Sequence, residues 1–250
     1  MELRLDGKVA LVTGASSGLG ERFATVLAES GARVALGARR TDRLEILRDR
    51  IVAGGGEAFV ISLDVSKVAD INPVIARIES EFGAIDILIN NAGVSRPKRL
   101  SDVEEEDFNY VMNTNLRGAF FVAQSVANRM MKRHSGRIIN IASLAGFKIL
   151  PKIGIYAMSK AAMIHMTRAM AIEWSRFGLN INAICPGYIE TELNQNHWTT
   201  EEGKKLISLL PRRRIGTPQD LDGLLIYLAS DASGFINGTT ITADDGFGAS

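Results

Sequence analysis

Three residues with catalytic side chains are spaced so that they could share one active site. Tyr156 and Lys160 lie four residues apart, so on a helix both side chains project from the same face. A phenol has a pKa of about 10, but an adjacent ammonium group favours the phenolate and lowers that pKa toward neutrality. Ser143, upstream of both, could arrive from a strand end and hold a substrate oxygen against the phenol. The combination predicts acid–base chemistry at a substrate oxygen, although this Tyr–Lys spacing also occurs by chance.

A glycine-rich loop near the N-terminus is the second chemical feature. The segment Thr13–Gly20 follows an apolar run and precedes a helical pattern. Glycines allow close approach of a ligand, and a helix N-terminus offers free N–H groups with positive partial charge. The loop therefore predicts a pyrophosphate site. Its glycine spacing differs from the common dinucleotide fingerprint, and it lacks the lysine of a P-loop, so a ligand-free turn remains an alternative. The predicted binding residues are Gly14, Ser16, Ser17, Gly18, Leu19 and Gly20.

The end of the second predicted strand favours one cofactor over another. NAD sites usually place an Asp or Glu there to bind the ribose hydroxyls. This chain has Arg39 and Arg40 instead, and guanidinium groups pair with phosphate through a planar fork of donors. Arginines at a helix start also oppose the helix dipole, which an anionic ligand would offset. The pattern favours NADP(H), with NAD(H) as the alternative.

Composition and charge narrow the class of protein. The 250 residues are 46% apolar and 23% charged, which is ordinary for a globular α/β domain. The net charge of +1 argues against nucleic acid or an anionic membrane as the main partner. Cys185 is the single cysteine, which agrees with a reducing cytosol, and no long apolar segment is present. The three histidines are scattered, so no metal site is predicted. We expect a cytoplasmic protein.

Short β-branched apolar runs alternate with longer segments of helical period along the chain. This alternation predicts an α/β fold with a parallel sheet covered by helices on both faces. The predicted strands are Val9–Thr13, Arg33–Leu36, Ala58–Ser62, Ile85–Asn90, Gly136–Ile141, Asn180–Ile184 and Thr239–Ala243. The predicted helices are Gly18–Ser30, Arg40–Ala53, Ile71–Phe82, Glu104–Arg133, Ile155–Phe177 and Pro218–Leu228. No linker or repeat divides them, so residues 1–250 are expected to form one domain.

Together with the segment Asn90–Gly93, these motifs resemble the short-chain dehydrogenase/reductase family over the whole chain. The resemblance implies a single Rossmann-type, doubly wound domain with a seven-stranded parallel sheet. It also implies a homotetramer or dimer formed through paired long helices. The implied catalytic residues are Asn115, Ser143, Tyr156 and Lys160. The resemblance implies further cofactor contacts: Asp64 and Val65 at the adenine, and Asn91, Ala92 and Gly93 along the floor of the cofactor site. It also implies contacts from Tyr156 and Lys160, and from Pro186, Gly187, Ile189 and Thr191 at the nicotinamide.

The resemblance assigns a role to each catalytic residue. In reduction, hydride passes from the nicotinamide to a carbonyl carbon. Ser143 would hold the carbonyl oxygen, and Tyr156 would protonate the alkoxide with its pKa lowered by Lys160. Asn115 would hold a water that relays protons from Lys160 to solvent. No catalytic position is substituted, which favours an enzyme over the alternative of a dinucleotide-binding sensor or scaffold without turnover.

Substrate choice is expected to depend on three segments, 144–153, 96–100 and 191–214. Apolar residues dominate near the predicted reacting centre, which favours a small-molecule substrate with an apolar or acyl-chain ketone over a polyol. The chain is similar to the 3-oxoacyl-thioester and carbonyl reductases of the family. The stretch Asn194–Leu210 predicts a partly helical lid.

Two charged clusters leave alternatives open. The run Arg212–Arg214 could attract the phosphates of coenzyme A, although a solvated basic loop is the simpler interpretation. Ile172 stands where relatives acting on acyl carrier protein commonly have a basic docking residue, which weakens that substrate. The acidic pair Asp244–Asp245 has no functional explanation from the sequence.

Overall fold

Seven parallel strands form one sheet in a computed structural model that describes residues 3–192 and 194–249. The strands are β1 (Val9–Thr13), β2 (Arg33–Ala38), β3 (Glu57–Ser62), β4 (Ile87–Asn90), β5 (Gly136–Ile141), β6 (Leu179–Pro186) and β7 (Thr240–Ala243). Their order is β3-β2-β1-β4-β5-β6-β7, with parallel pairing throughout. The predicted Rossmann-type α/β fold is therefore confirmed.

Helices cover both faces of the sheet. They are α1 (Gly18–Glu29), α2 (Thr41–Ala53), α3 (Val68–Glu81), α4 (Glu105–Met112), α5 (Ala119–Arg133), α6 (Gly154–Trp174), α7 (Gln195–Trp198), α8 (Glu201–Leu209) and α9 (Asp222–Ala229). Neighbouring residues of β1 point to opposite faces: Val12 packs in the core formed with α1, α2 and α9, and Leu11 in the core formed with α3, α5 and α6. Both side chains are fully buried, which explains the continuous apolar character of the strands.

The structure differs from the sequence prediction at the segment Glu104–Arg133, which was expected to be one helix. It consists of α4, a π-helical turn over Asn113–Gly118, and α5. A π turn inserts an extra residue into a helix, and such turns frequently occur at functional sites. Among the six residues of this turn only Leu116 is a large apolar one, so the helical apolar period is interrupted within the turn.

The order of the strands reverses between β1 and β4, since the chain builds outward to β3 before returning to β4. In open parallel sheets, ligands bind at the carboxyl ends of the strands at such a switch point. The glycine-rich loop follows β1, and Asn91–Gly93 follow β4. Within the described ranges, no helix is both long and apolar enough to cross a membrane.

Candidate active site

The glycine-rich loop lies against the end of β4 with no space for side chains. Gly14 has a left-handed backbone conformation, with φ at +69°, and a Cβ there would lie 2.9 Å from Cα of Ala92. A Cβ on Gly20 would lie 2.6 Å from the side-chain nitrogen of Asn91. Glycine at both positions lets the loop pack directly against the end of β4 at the start of α1, and a glycine loop at a helix N-terminus fits a pyrophosphate group.

Thr13 connects this loop to the end of β4 through hydrogen bonds, and this connection was not predicted from the sequence. Its hydroxyl accepts hydrogen bonds from the backbone N–H groups of Asn91 and Ala92, each at 3.0 Å. The side-chain nitrogen of Asn91 donates back to the carbonyl oxygen of Thr13 at 2.9 Å. Asn91 and Ala92 therefore shape the floor beside the glycine-rich loop, while the neighbouring Gly93 is exposed.

Arg40 reaches from the end of β2 to the glycine-rich loop. Its guanidinium donates to the hydroxyl of Ser17 at 2.7 Å and to the hydroxyl of Ser16 at 3.1 Å. Arg39 is exposed next to it. The guanidinium of Arg40 thus lies beside the predicted pyrophosphate loop. Of the two arginines, Arg40 has the fixed side chain, because hydrogen bonds to Ser16 and Ser17 orient its planar guanidinium group.

The predicted adenine contacts lie at the end of β3. Oδ1 of Asp64 accepts hydrogen bonds from the backbone N–H of Ser66 at 3.0 Å and from its hydroxyl at 2.7 Å, which fixes the carboxylate in a turn. Val65 is buried, and its carbonyl oxygen lies 2.5 Å from the position a Cβ on Gly118 would take. Val65 therefore supports the π turn as well as the adenine side of the cleft.

The predicted nicotinamide loop leaves β6 at Pro186 and Gly187 and folds back toward the glycine-rich loop. Asn194 organises it: its Oδ1 accepts from the N–H of Thr191 at 2.7 Å, and its amide nitrogen donates to the carbonyl of Ile189 at 2.9 Å. The methyl group of Thr191 would lie 3.5 Å from a Cβ on Gly18. The loop thus lies across the start of α1, although the sequence analysis did not identify Asn194.

Tyr156 and Ser143 are brought together as predicted. Ser143 follows β5, Tyr156 lies in the first turn of α6, and both residues line the same cavity. Burial raises the pKa of Tyr156 above its ordinary value, and the neighbouring Ser143 hydroxyl partly opposes this effect. The paired hydroxyl groups suit the binding of one substrate oxygen.

Lys160 lies near the Tyr156 ring and is buried in the protein. Its ammonium nitrogen is 5.6 Å from the centre of the Tyr156 ring and donates to the carbonyl oxygen of Ile141 at 2.7 Å. Burial lowers the pKa of Lys160 to about 8, so its charge is lost before the phenol ionises. That this lysine lowers the pKa of Tyr156 stays a prediction, and burial acts against the charged forms of both groups.

Asn115 lies within the π turn, fully buried, and its side chain already has hydrogen-bond partners. Oδ1 accepts from the N–H of Val94 at 2.8 Å, and the amide nitrogen donates to the carbonyl of Val94 at 2.9 Å and to Ser159 at 3.0 Å. Both amide hydrogens are therefore in use. The side chain cannot donate to the predicted relay water, and its observed role is to join the π turn to α6.

A buried polar network under the site was not predicted. The amide of Asn90 donates to the carbonyl of Ala119 at 2.8 Å and to the side chain of Asn140 at 3.2 Å. Asn140 in turn donates to the hydroxyl of Thr167 in α6 at 2.9 Å. These bonds hold α5 and α6 on the sheet. The sequence indicates this network only through one polar residue in each of two otherwise apolar strands, Asn90 in β4 and Asn140 in β5.

A cavity of about 140 Å³ opens beside the Ser143–Tyr156 pair. Its other lining residues are Leu144, Ala145, Lys148, Leu150, Ile153, Pro186, Gly187, Tyr188 and Phe247. The predicted segment 144–153 therefore contributes much of the lining. None of the described residues 96–100 does; the N–H of Lys98 instead donates to the carbonyl of Lys152 at 2.8 Å. Phe247 was not predicted.

Neither the histidines nor Cys185 indicates further chemistry. Among residues 3–192 and 194–249, no group of three or more His, Cys, Asp or Glu side chains could hold a metal ion. Cys185 is fully buried in β6, and burial raises the pKa of its thiol to about 11. The thiol therefore stays protonated at neutral pH and packs as a small apolar group.

The chain is similar to known proteins over nearly its whole length. Residues 8–202 match the family model described as short chain dehydrogenase. The chain is 37% identical over 245 residues to the 2-dehydro-3-deoxy-D-gluconate 5-dehydrogenase of Dickeya dadantii, covering 97% of this chain and 96% of that one. It is 38% identical over 243 residues to the gluconate 5-dehydrogenase of Gluconobacter oxydans, covering 97% and 95%.

A solved structure shows the same fold. The gluconate 5-dehydrogenase of Burkholderia cenocepacia, determined in complex with NADP and tartrate, superimposes with a TM-score of 0.96 at 38% identity. The match covers all of this chain and 98% of that one. From the family match over most of its length and these relatives, we conclude that the chain belongs to the short-chain dehydrogenase family.

Proposed function

We propose that this protein is an NADP(H)-dependent oxidoreductase that interconverts a ketone and a secondary alcohol. The observation that carries the proposal is that Ser143 and Tyr156 line one cavity together with Pro186 and Gly187 of the predicted nicotinamide loop. A protein that only binds a dinucleotide has no need of an acid–base tyrosine at a second cavity. Turnover therefore explains the site better than a sensor or scaffold does.

The preference for NADP(H) rests on Arg40 and Arg39. Arg40 is held beside the glycine-rich loop by Ser16 and Ser17, so its guanidinium is available to a 2′-phosphate of a cofactor bound in that loop. Its fork could then pair with phosphate oxygens, whereas a carboxylate at this position would repel them. The relative from Burkholderia cenocepacia was solved with NADP, which supports this assignment.

The catalytic residues take the following roles in the proposed reduction. The cofactor, when bound, supplies the hydride. Ser143 donates a hydrogen bond to the carbonyl oxygen, and Tyr156 gives its proton to the same oxygen as negative charge develops there. The raised pKa keeps Tyr156 protonated at neutral pH, which suits an acid. Lys160 positions the ribose end of the cofactor, and Asn115 keeps α6 in place through Ser159.

The cavity favours a ketone with an apolar body. Apart from Ser143 and Tyr156, polar side chains enter the lining only at Lys148 and Tyr188. A polyol bound there would leave hydroxyl groups without partners, and each unsatisfied buried group costs about 1–3 kcal/mol. A small or cyclic ketone loses nothing by contact with such walls.

A sugar acid is the second candidate substrate. The observation that favours it is Lys148, a cationic residue of the cavity lining that could bind a substrate carboxylate in addition to its present partner, the carbonyl oxygen of Phe247. Two relatives are named for dehydrogenation of gluconate or of a dehydro-deoxygluconate. The two candidate substrates differ in the group that the cavity lining must accept, which is an apolar substituent for the ketone and a carboxylate for the sugar acid.

Initial rates of NADPH oxidation against a ketone panel test the proposal. The panel contains 2-butanone, cyclohexanone, 4-phenyl-2-butanone and acetoacetyl-coenzyme A, with NADH in parallel, and NADP⁺ reduction is followed with gluconate. We expect turnover of apolar ketones with NADPH. Turnover of gluconate alone would establish the sugar acid instead, and equal rates with NADH would refute the cofactor assignment. Binding of NADPH without turnover of any compound would favour a sensor.

We also infer a cytoplasmic homotetramer or dimer. Helices α5 and α6 carry large apolar side chains at the surface: Phe120 is 36% exposed, Met158 47% and Ile172 80%. Exposed apolar side chains on two long helices suit pairing with another copy. Light scattering after size-exclusion chromatography would show the mass of the assembly, and a monomer would contradict the inference.

A further inference from the structure

The chain after β7 turns back toward the catalytic cavity. Asp244 stabilises this turn, residues 244–249, because its carboxylate oxygens accept from the N–H of Gly246 at 3.1 Å and of Gly248 at 2.5 Å. Asp245 and Gly246 have left-handed backbone conformations, with φ at 58° and 86°. A left-handed aspartate is uncommon and requires stabilisation from its surroundings.

The arginine run supplies part of that stabilisation. Arg212 donates to the carboxylate of Asp245 at 3.1 Å, and Arg214 donates to its other oxygen at 2.8 Å. Arg214 also lies 3.5 Å from Asp220. Two arginines of the run are thus paired with carboxylates of this chain. This pairing argues against a coenzyme A site and gives the acidic pair Asp244–Asp245 a structural role.

The turn delivers Phe247 to the substrate cavity. The ammonium group of Lys148 lies 4.0 Å from the centre of the Phe247 ring and donates to the Phe247 carbonyl oxygen at 3.2 Å. On its other side the ring is 5.6 Å from the ring of Tyr188. All three side chains line the cavity that contains Ser143 and Tyr156.

The turn is packed too tightly to shift without rearrangement of its neighbours. A Cβ on Gly187 would lie 2.6 Å from Cβ of Asp244, and a Cβ on Gly248 would lie 2.8 Å from a methyl carbon of Leu144. Leu144 follows Ser143 directly, and Gly187 begins the nicotinamide loop. The turn is therefore in contact with both sides of the reacting centre.

We propose that Phe247 is a specificity-determining residue, carried on a C-terminal turn that Arg212 and Arg214 attach through Asp245. The turn forms a wall of the cavity, so the Phe247 ring limits the size of the ketone substituent opposite Tyr156. The attachment also links this wall to the segment after α8, because the arginines follow that helix. The proposal rests on the proposed ketone chemistry of the same site.

Three variants test this assignment. Phe247→Ala enlarges the cavity. Asp245→Asn removes the ion pairs while keeping a residue that tolerates a left-handed backbone. Asp231→Asn is the matched control, because Asp231 pairs with Arg137 outside the cavity lining and is 85% exposed. For each, kcat/KM is measured with NADPH for 4-phenyl-2-butanone and for 2-butanone, and the ratio of the two values is compared.

Phe247→Ala is expected to raise the ratio in favour of the larger ketone by about tenfold or more, as removal of a pocket wall does. Asp245→Asn is expected to raise it about two- to fivefold, and Asp231→Asn by less than about twofold. If the wild type reduces either ketone and Phe247→Ala leaves the preference unchanged, the specificity role is wrong.

A second measurement does not depend on turnover. Hydrogen exchange of the C-terminal peptide reports the amides of Gly246 and Gly248, which are expected to exchange faster in Asp245→Asn than in the wild type or Asp231→Asn. Equal exchange rates in Asp245→Asn and the wild type would show that Arg212 and Arg214 do not hold the turn through Asp245. Absence of ketone reduction in the wild type would instead count against the proposed function, and the exchange result would still decide whether the arginines hold the turn.

Discussion

The side-chain amide of Asn115 donates a 3.0 Å hydrogen bond to the hydroxyl of Ser159, joining the π turn to α6 between Tyr156 and Lys160. The Ser159 hydroxyl in turn donates to the backbone carbonyl of Tyr156 at 2.7 Å. The orientation of α6, which carries the phenol, therefore depends on Asn115, a residue forty-four positions before Ser159 in the sequence. Asn115 is a positioning residue in this structure.

Asn115→Ala should lower both stability and turnover. It leaves the N–H and carbonyl of the half-buried Val94 without their partner, and an unsatisfied buried polar group costs about 1–3 kcal/mol. Urea unfolding and kcat measure the two effects. Asn109→Ala is the control, because Asn109 is exposed on α4, and it should change neither stability nor kcat. An Asn115→Ala enzyme with normal stability and kcat would remove the positioning role.

Tyr156→Phe should abolish nearly all turnover while leaving cofactor binding intact. General acid–base catalysis contributes about 10²- to 10⁴-fold, and the variant loses only the hydroxyl group. Stopped-assay rates of ketone reduction and titration of NADPH fluorescence measure the two properties. Tyr227→Phe in α9 is the matched control. Comparable turnover in Tyr156→Phe would show that another group protonates the substrate.

Arg40→Ala should weaken NADPH binding by about ten- to a hundredfold and NADH binding much less, because only NADPH offers a phosphate to the guanidinium. Arg39→Ala should act in the same direction. The dissociation constants are measured for both cofactors by fluorescence. Arg48→Ala in α2 is the control, since its partners are Glu45 and Asp49. Equal losses for the two cofactors would refute a phosphate site at Arg40.

The free protein should show an unusual order of ionisation. Burial lowers the pKa of Lys160 to about 8 and raises that of Tyr156 above 10.0, so the lysine loses its proton first as pH rises. The difference in phenolate absorbance between wild type and Tyr156→Phe should therefore be absent until the pH exceeds 10. A phenolate difference appearing near neutral pH in the free protein would contradict this order.

Asp107 should contribute stability that depends on pH. It is buried, and hydrogen bonds from Lys98 and Arg96 lower its pKa from 3.8 to about 2. Because the folded-state pKa is depressed, the contribution is complete above the unfolded-state pKa and is lost as pH falls from 3.8 toward 2. Asp107→Asn should lower Tm at neutral pH, and the gap from wild type should close across that window. A constant gap would exclude this charge effect, and Asp102→Asn serves as the exposed control.

The fold was predictable because its determinants are local. Apolar β-branched runs such as Val9–Thr13 and Gly136–Ile141 specify buried strands wherever they lie, and alternation with helices then requires a parallel sheet. The glycine-rich loop and the Tyr156–Lys160 spacing are local in the same sense, since backbone geometry over a few residues fixes what they present. Each of these features is present where the pattern placed it.

The remaining features depend on contacts between distant parts of the chain. Arg40 meets Ser17 across 23 positions, and Lys148 meets Phe247 across 99, because the strand order brings their elements together. The π turn at Asn115 and the opposite pKa shifts of Tyr156 and Lys160 follow from burial, which no short segment encodes. The sequence by itself determined the sheet, the nucleotide loop and the identity of the reacting groups. Only the tertiary structure decided the protonation of those groups and the walls around them, since both depend on which distant side chains exclude water from the site.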